Sequence, residues 1–226
     1  KKREQPVLLL SKGYRKMKYD IELVGKIGSM ALIREAEHDI NYNVFSRIGS
    51  ELRPGMIWVS SGAVEIGRLD YIKRNGHELE GSKSDIMTDY SAQGQAILME
   101  EYRRYIPAKY SVRQLLVEHT HFNDEEKREH IYQFLMRCPR QNAIPIVNYN
   151  DTVSFEENRR WELEQLRNNG HERVVECIDN DETAAVISTL VHPKYLLIFA
   201  SVNGIYLGPK DPSTLVETVE GKDPDE

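Results

Sequence analysis

Met56-Ile57-Trp58-Val59-Ser60-Ser61-Gly62-Ala63 is a run of four apolar residues, three small ones and a good helix former. Met56 to Val59 reads as a buried strand, Ser60-Ser61-Gly62 as a turn, and Ala63 to about Tyr71 as a helix. Strand, small-residue turn, helix is the βα unit. Toward the N-terminus the unit repeats: Ile21 to Ile27 reads as a buried strand that breaks at Gly28-Ser29. Ile40, Val44, Phe45, Ile48 and Leu52 then place their apolar side chains on one helix face.

Toward the C-terminus, the polar stretch Lys73 to Asp85, with Asn75-Gly76 and Gly81-Ser82, reads as a surface loop ahead of a long helix from Ile86 to Ile106. Val112 to Val117 is the next strand, Asp124 to Arg137 a helix opened by an Asn123-Asp124 cap, and Ala143 to Val147 another strand. Glu156 to Glu172 is dense in charge and Asn, so a mobile insertion or hairpin outside the core is expected. Val174 to Ile178 reads as a short strand, Asp179-Asn180-Asp181 caps a helix through Leu190, and Tyr195 to Ala200 is the most apolar strand of all. Continuous apolar strands separated by helices predict an α/β fold, a three-layer αβα sandwich with a mainly parallel central sheet buried on both faces.

Composition agrees with a globular chain: 226 residues, 40% hydrophobic and 29% charged, exclude collagen-like, fibrous and disordered classes. The longest apolar run, Tyr195 to Ala200, falls far short of the ~20 residues a spanning helix needs, so no membrane partner is expected. The short Val7-to-Leu10 run does not make a secretory signal. Cys138 and Cys177, far apart and without CxxC spacing, read as core thiols of a reducing, cytoplasmic compartment. Residues 1–18 carry seven Lys or Arg against one acid, Glu4, which sets off a basic N-terminal extension, 1–20, from a domain over 21–226. A short basic arm is ordinarily a solvated extension, and no nucleic-acid partner is assigned to it.

In open α/β sheets, ligands sit beyond the carboxyl ends of the strands, where helix N-termini aim N–H groups and positive dipole ends. Five polar clusters follow strands here. Lys26 with Gly28 and Ser29 suits an anion such as a nucleotide phosphate, or is a plain strand exit. Ser60-Ser61-Gly62-Ala63 offers hydroxyls and bare N–H groups for a carboxylate or phosphate, or is a plain N-cap. Asn148, Asn150 and Asp151 follow a buried strand, and Asp179-Asn180-Asp181 open a helix. These can receive the ammonium and carboxylate of an amino acid, or form an Asx turn and a cap. Ser201-Val202-Asn203-Gly204 is the fifth. His119, His121 and His130 with Asp124, Glu125 and Glu129 are the one transition-metal candidate, and a solvated loop with an acidic helix start explains the same residues, so no metal site is assigned. There is no GxSxG nucleophile elbow, and Cys138 has no visible histidine partner.

Taken in order, Lys26-Ile27-Gly28-Ser29, Val59 to Ala63, Gly94-Gln95, Ile144 to Asp151, Asp179-Asn180-Asp181 and Asn203-Gly204-Ile205-Tyr206 resemble the amino acid kinase family, most like the glutamate 5-kinases, from about Ile21 to Glu220. The resemblance implies transfer of the ATP γ-phosphoryl to the side-chain carboxylate of L-glutamate with Mg2+, the first step of proline biosynthesis, in a homo-oligomer, a dimer or tetramer. It implies that Lys26 and Asp151 serve catalysis. Ser61, Gly62, Asn148, Asp151, Asp179, Asn180 and Asp181 would bind the acceptor; Lys26, Gly28, Ser29, Ala200, Ser201, Asn203, Gly204 and Tyr206 would bind nucleotide. The chain departs from the family pattern at several points. Tyr149 stands where Asn-Glu-Asn-Asp has Glu, Ile178 replaces a Gly, Ala200-Ser201 replace Thr-Asp, and the Phe155 to Cys177 stretch is longer. The sequence stops before the Gly-Gly segment with a second lysine. A different small acceptor, or a non-catalytic nucleotide- or amino-acid-binding protein on the same fold, are the alternative expectations.

Overall fold

The computed structural model describes residues 20–154, 156–168, 174–200, 202–208 and 211–218, so the basic arm, Phe155 and Ser201 lie outside the described residues. In chain order come β1 (Leu23–Ile27), the short pair β2 (Ile33–Arg34) and β3 (Asp39–Ile40), α1 (Tyr42–Glu51), β4 (Met56–Ser60), α2 (Ala63–Asn75) and α3 (Lys83–Tyr105). They are followed by β5 (Ser111–Val117), α4 (His119–Asn123), α5 (Glu125–Arg137), β6 (Ala143–Tyr149), α6 (Glu156–Asn168), α7 (Asn180–Val191), β7 (Tyr195–Phe199), β8 (Ile205–Tyr206) and β9 (Leu215–Val216). Five strands form one all-parallel sheet in the order β5-β6-β4-β1-β7.

Side-chain alternation along the strands builds two cores. Met56 and Trp58 of β4 with Ile144 and Ile146 of β6 pack on one face with Phe45, Ile66 and Leu98 of α1, α2 and α3. Ile57 and Val59 with Val147 and Tyr149 pack on the other, under Ile131 and Leu135 of α5 and Ala184 and Ile187 of α7. The result is the expected three-layer α/β arrangement. Two glycines let α2 and α3 touch: a Cβ on Gly67 would lie 1.8 Å from the Tyr90 carbonyl oxygen, and one on Gly94 1.8 Å from that of Ala63.

Several local expectations are corrected. The Lys73–Asp85 loop is shorter than expected, residues 76–82: α2 runs on to Asn75, and α3 starts at Lys83 behind a Ser82 cap whose hydroxyl accepts from Asp85 N–H at 3.1 Å. Val174 to Ile178 is not a strand, because the Asn123 side-chain amide satisfies both the N–H and the carbonyl of Val175, at 2.7 and 2.9 Å. Much of the charged Glu156–Glu172 stretch is a helix, α6, which buries Arg159 and Leu163; the polar run hides two inward residues among many outward ones. Tyr195–Phe199 is not a buried strand. Its five side chains are 42–53% exposed, because β7 is the edge of the sheet and pairs only with β1 among the described residues.

Candidate active site

The register Ile27↔Ser60 between β1 and β4, and Val59↔Val147 between β4 and β6, brings three strand ends level. They open into a cleft of about 230 Å3. Lys26 and Ser29 come from β1 and the turn after it, Ser61 and Gly62 from the exit of β4, Asp151 from the exit of β6, and Asp179, Asn180 and Asp181 from the start of α7. Gly62 turns the chain into α2 at φ 106°, a conformation that glycine enters without a Cβ clash. No side chain caps α2, and Ala63, Val64 and Glu65 line the cleft, so the positive end of that helix faces it. At α7 the cap expectation is realised: Asp179 Oδ1 accepts from the N–H groups of Asp181 and Glu182 at 2.8 and 2.9 Å.

Lys26, nearly buried, donates to Asp181 Oδ2 at 2.9 Å, while the Asp181 side chain is 54% exposed. A largely desolvated ammonium whose one carboxylate partner among the described residues faces solvent is poised to trade that partner for an incoming anion.

Below the cleft floor lies an amide network. Asn180 donates to Ser61 Oγ at 3.1 Å and to Asn148 Oδ1 at 2.9 Å, and accepts from Tyr149 N–H at 2.9 Å. Asn148 donates onward to Gln95 Oε1 at 2.7 Å. Asn148 is buried and does not line the cleft; its amide is spent in holding Asn180. Asn150 points away, donating to Glu118 Oε1 at 2.9 Å. Asp151 remains at the wall, and burial pushes its carboxyl up while Arg159, donating to Oδ1 at 2.6 Å, pulls it down.

Of the residues expected to bind nucleotide, Lys26 and Ser29 line the cleft and Gly28 stands between them, whereas Ala200, Asn203, Gly204 and Tyr206 do not line it. Tyr206 lies in the antiparallel pair β8–β9, and Ala200 follows the exposed edge strand. Arg159 in the cleft wall was not visible in the sequence, where it is one charge in a charged run. Nor were Tyr102, whose hydroxyl lies 2.7 Å from Ser60 Oγ, and Trp58, which donates to that hydroxyl at 2.9 Å. Among the described residues no group of three His, Cys, Asp or Glu side chains converges as a metal site; His121 Nδ1 instead accepts from the Glu118 N–H at 3.0 Å. Both cysteines are buried and unbridged, and no described helix is long and apolar enough to cross a membrane.

The family model of the amino acid kinase family matches residues 23–226. Glutamate 5-kinase 1 of Bacillus subtilis is 30% identical over 197 residues, 81% of this chain and 46% of that protein. Glutamate 5-kinase of Alkaliphilus metalliredigens is 28% identical over 208 residues, 88% of this chain and 70% of that protein. Glutamate 5-kinase 1 of Bacillus licheniformis is 30% identical over 194 residues, again spanning 46% of its length. The chain thus spans about half the length of most of these curated relatives.

Proposed function

This chain belongs to the amino acid kinase family, and from that premise we propose that it serves ATP-dependent phosphoryl transfer to the side-chain carboxylate of L-glutamate, giving glutamyl 5-phosphate. The observation that carries the proposal is the convergence of Lys26, Ser61, Asp151 and Asp179 to Asp181 on one cleft at aligned strand ends. Names of relatives at 28–30% identity support the acceptor.

In this reading an oxygen of the glutamate side-chain carboxylate forms a bond to the γ-phosphorus, the bond from that phosphorus to the β,γ-bridging oxygen breaks, and ADP leaves with the electron pair. A carboxylate is already ionised at neutral pH, so the step needs no general base. What the protein supplies is position and charge. Lys26 releases Asp181 and takes the transferring phosphoryl, while the uncapped start of α2 offers N–H groups to an anionic oxygen. Asp151 and the carboxylates of Asp179 and Asp181 receive the acceptor's ammonium, and the buried Asn148–Asn180 pair keeps that wall in place. Mg2+ would arrive with ATP, held chiefly by phosphate oxygens with one or two carboxylates, and supplies charge neutralisation. Asp179 and Asp181, at the cleft beside Lys26, are of the hard-oxygen type such a complex accepts. A homo-oligomeric assembly belongs to the same proposal.

The test is a hydroxylamine trap with ATP, Mg2+ and L-glutamate, scoring the hydroxamate from the acyl phosphate. Hydroxamate from wild type, cut about 100- to 1000-fold in Lys26→Met, supports the proposal. Silence from this chain and from any longer product of its gene, with glutamate still binding in a calorimeter, supports the non-catalytic reading that Ala200-Ser201 in place of Thr-Asp favours.

A further inference from the structure

Two departures from the family pattern touch each other. Tyr149 stands where the pattern has Glu, and Arg159 belongs to the long stretch after β6; the Arg159 guanidinium carbon lies 3.8 Å from the centre of the Tyr149 ring. Arg159 is only 6% exposed, in a helix whose sequence is otherwise mostly polar. Burying a guanidinium is costly unless its charge and its N–H groups are matched. Here they are: Nε donates to the Ser154 carbonyl at 3.0 Å, Nη1 to the Ile178 carbonyl at 2.5 Å, and Nη2 to Asp151 Oδ1 at 2.6 Å and also to the Ser154 carbonyl. One aromatic face completes the shell.

Those partners come from two places. Asp151 and Ser154 form the turn that leaves β6, whereas Ile178 is the residue just before the Asp179 cap of α7. One rigid fork therefore ties together the two segments that carry the acidic wall of the cleft. The helix that presents it is anchored by Leu163 in the interior.

We propose that Arg159 is the positioning residue of the acceptor pocket: through Asp151 Oδ1 and the Ser154 and Ile178 carbonyls it sets the spacing between the β6 exit and the α7 start, and it fixes the Asp151 carboxylate at the cleft wall. With most of its donors committed inside the protein, it shapes the pocket without itself grasping the ligand. The inference rests on the acceptor reading above and deepens it, because it names what holds the acceptor's ammonium receptor in place. Burial raises the Asp151 carboxyl above its usual range, and Arg159 opposes that rise without cancelling it. The other charged or titratable groups at that cleft are Lys26 from β1, Glu65 from α2, Asp179 and Asp181 from α7, and Tyr149 at the end of β6.

The test pairs two measurements that need no turnover. Calorimetry gives the affinity of wild type, Arg159→Met and Arg159→Lys for L-glutamate and for ATP, and carboxyl carbon NMR follows the titration of Asp151 without ligand. Arg159→Met is expected to weaken L-glutamate binding about 10- to 100-fold, to weaken ATP binding less and to move the Asp151 titration to higher pH. Arg159→Lys keeps a cation beside Asp151 but cannot span both carbonyls, so it restores the titration and only part of the affinity. A folded Arg159→Met that binds glutamate like wild type, or whose Asp151 titrates where it did, overturns the proposal. Should Arg159→Met not fold, full glutamate affinity in Arg159→Lys overturns it equally. Wild type that binds no glutamate defeats the acceptor reading instead, and the Asp151 titration then decides alone whether Arg159 governs that carboxylate.

Discussion

β6 and β7 are both apolar strands of the same parallel sheet, yet β6 is buried at all seven positions and β7 exposed at all five. The difference is one of place. β6 lies between β5 and β4 with helices on both faces, whereas β7 has β1 on one side and no strand on the other among the described residues. The consequence reaches the cleft. The exit of β6 carries Asn148, whose buried amide is satisfied by Gln95 and Asn180, and Asp151, matched by Arg159. An interior strand can present polar groups precisely because its surroundings leave them one arrangement. The exit of β7 leads to Ala200, which is exposed and outside the cleft lining. The β6 wall of the cleft is therefore preorganised by the described residues, and the residues expected to meet nucleotide beyond β7 are not gathered around it.

Cavity-forming substitutions give the largest contrast. Ile146→Ala in β6 is expected to cost about 2–5 kcal/mol in urea unfolding, and Ile198→Ala in β7 less than about 1 kcal/mol. Equal costs would break the comparison. Asn180→Ala strips a partner from the Tyr149 N–H and from Asn148, both buried, and should cost about 1–3 kcal/mol by the same measurement; a cost near zero would mean that the floor of the cleft is not held by that amide.

A smaller effect appears as pH dependence. Burial holds His119 below the usual histidine range despite Glu162 and Glu118 nearby. The unfolded chain takes up that proton as pH falls through about 6.5 while the folded chain resists, so stability is complete above that pH and declines as pH drops through the folded value. Unfolding across pH 7 to 5 should show a loss of stability that His119→Asn flattens. Smallest in stability is Leu197→Lys on β7, which should leave the melting temperature almost unchanged while lowering the binding of a hydrophobic dye; a large loss of stability would show that β7 is covered after all.

Much of the fold was legible because apolar runs and small-residue turns are local. The strands beginning near Ile21, Met56, Val112 and Ala143 and the helices after Ala63, Ile86 and Asp124 stand close to where the pattern put them. The cleft residues Ser61 and Asp151 were legible for a related reason, since polar groups directly after buried strands have few other places to go, and Asp179 was legible as the cap of a helix. Asn148 shows the limit: its position is as expected, but its amide is consumed beneath the cleft, a matter of what Gln95 and Asn180 reach from elsewhere. Val174 to Ile178 failed as a strand because a single distant amide, Asn123, took its hydrogen bonds.

The amino-acid sequence by itself determined the α/β class, the alternation that buries both faces of the sheet and the strand ends that carry polar groups, because each depends on hydrophobic periodicity within a dozen residues or so. Only the tertiary structure decided that β7 is an edge, that α6 turns Arg159 onto Tyr149 and that Asp151 meets a cation. These depend on which segments become neighbours, and periodicity within a segment does not encode its neighbours.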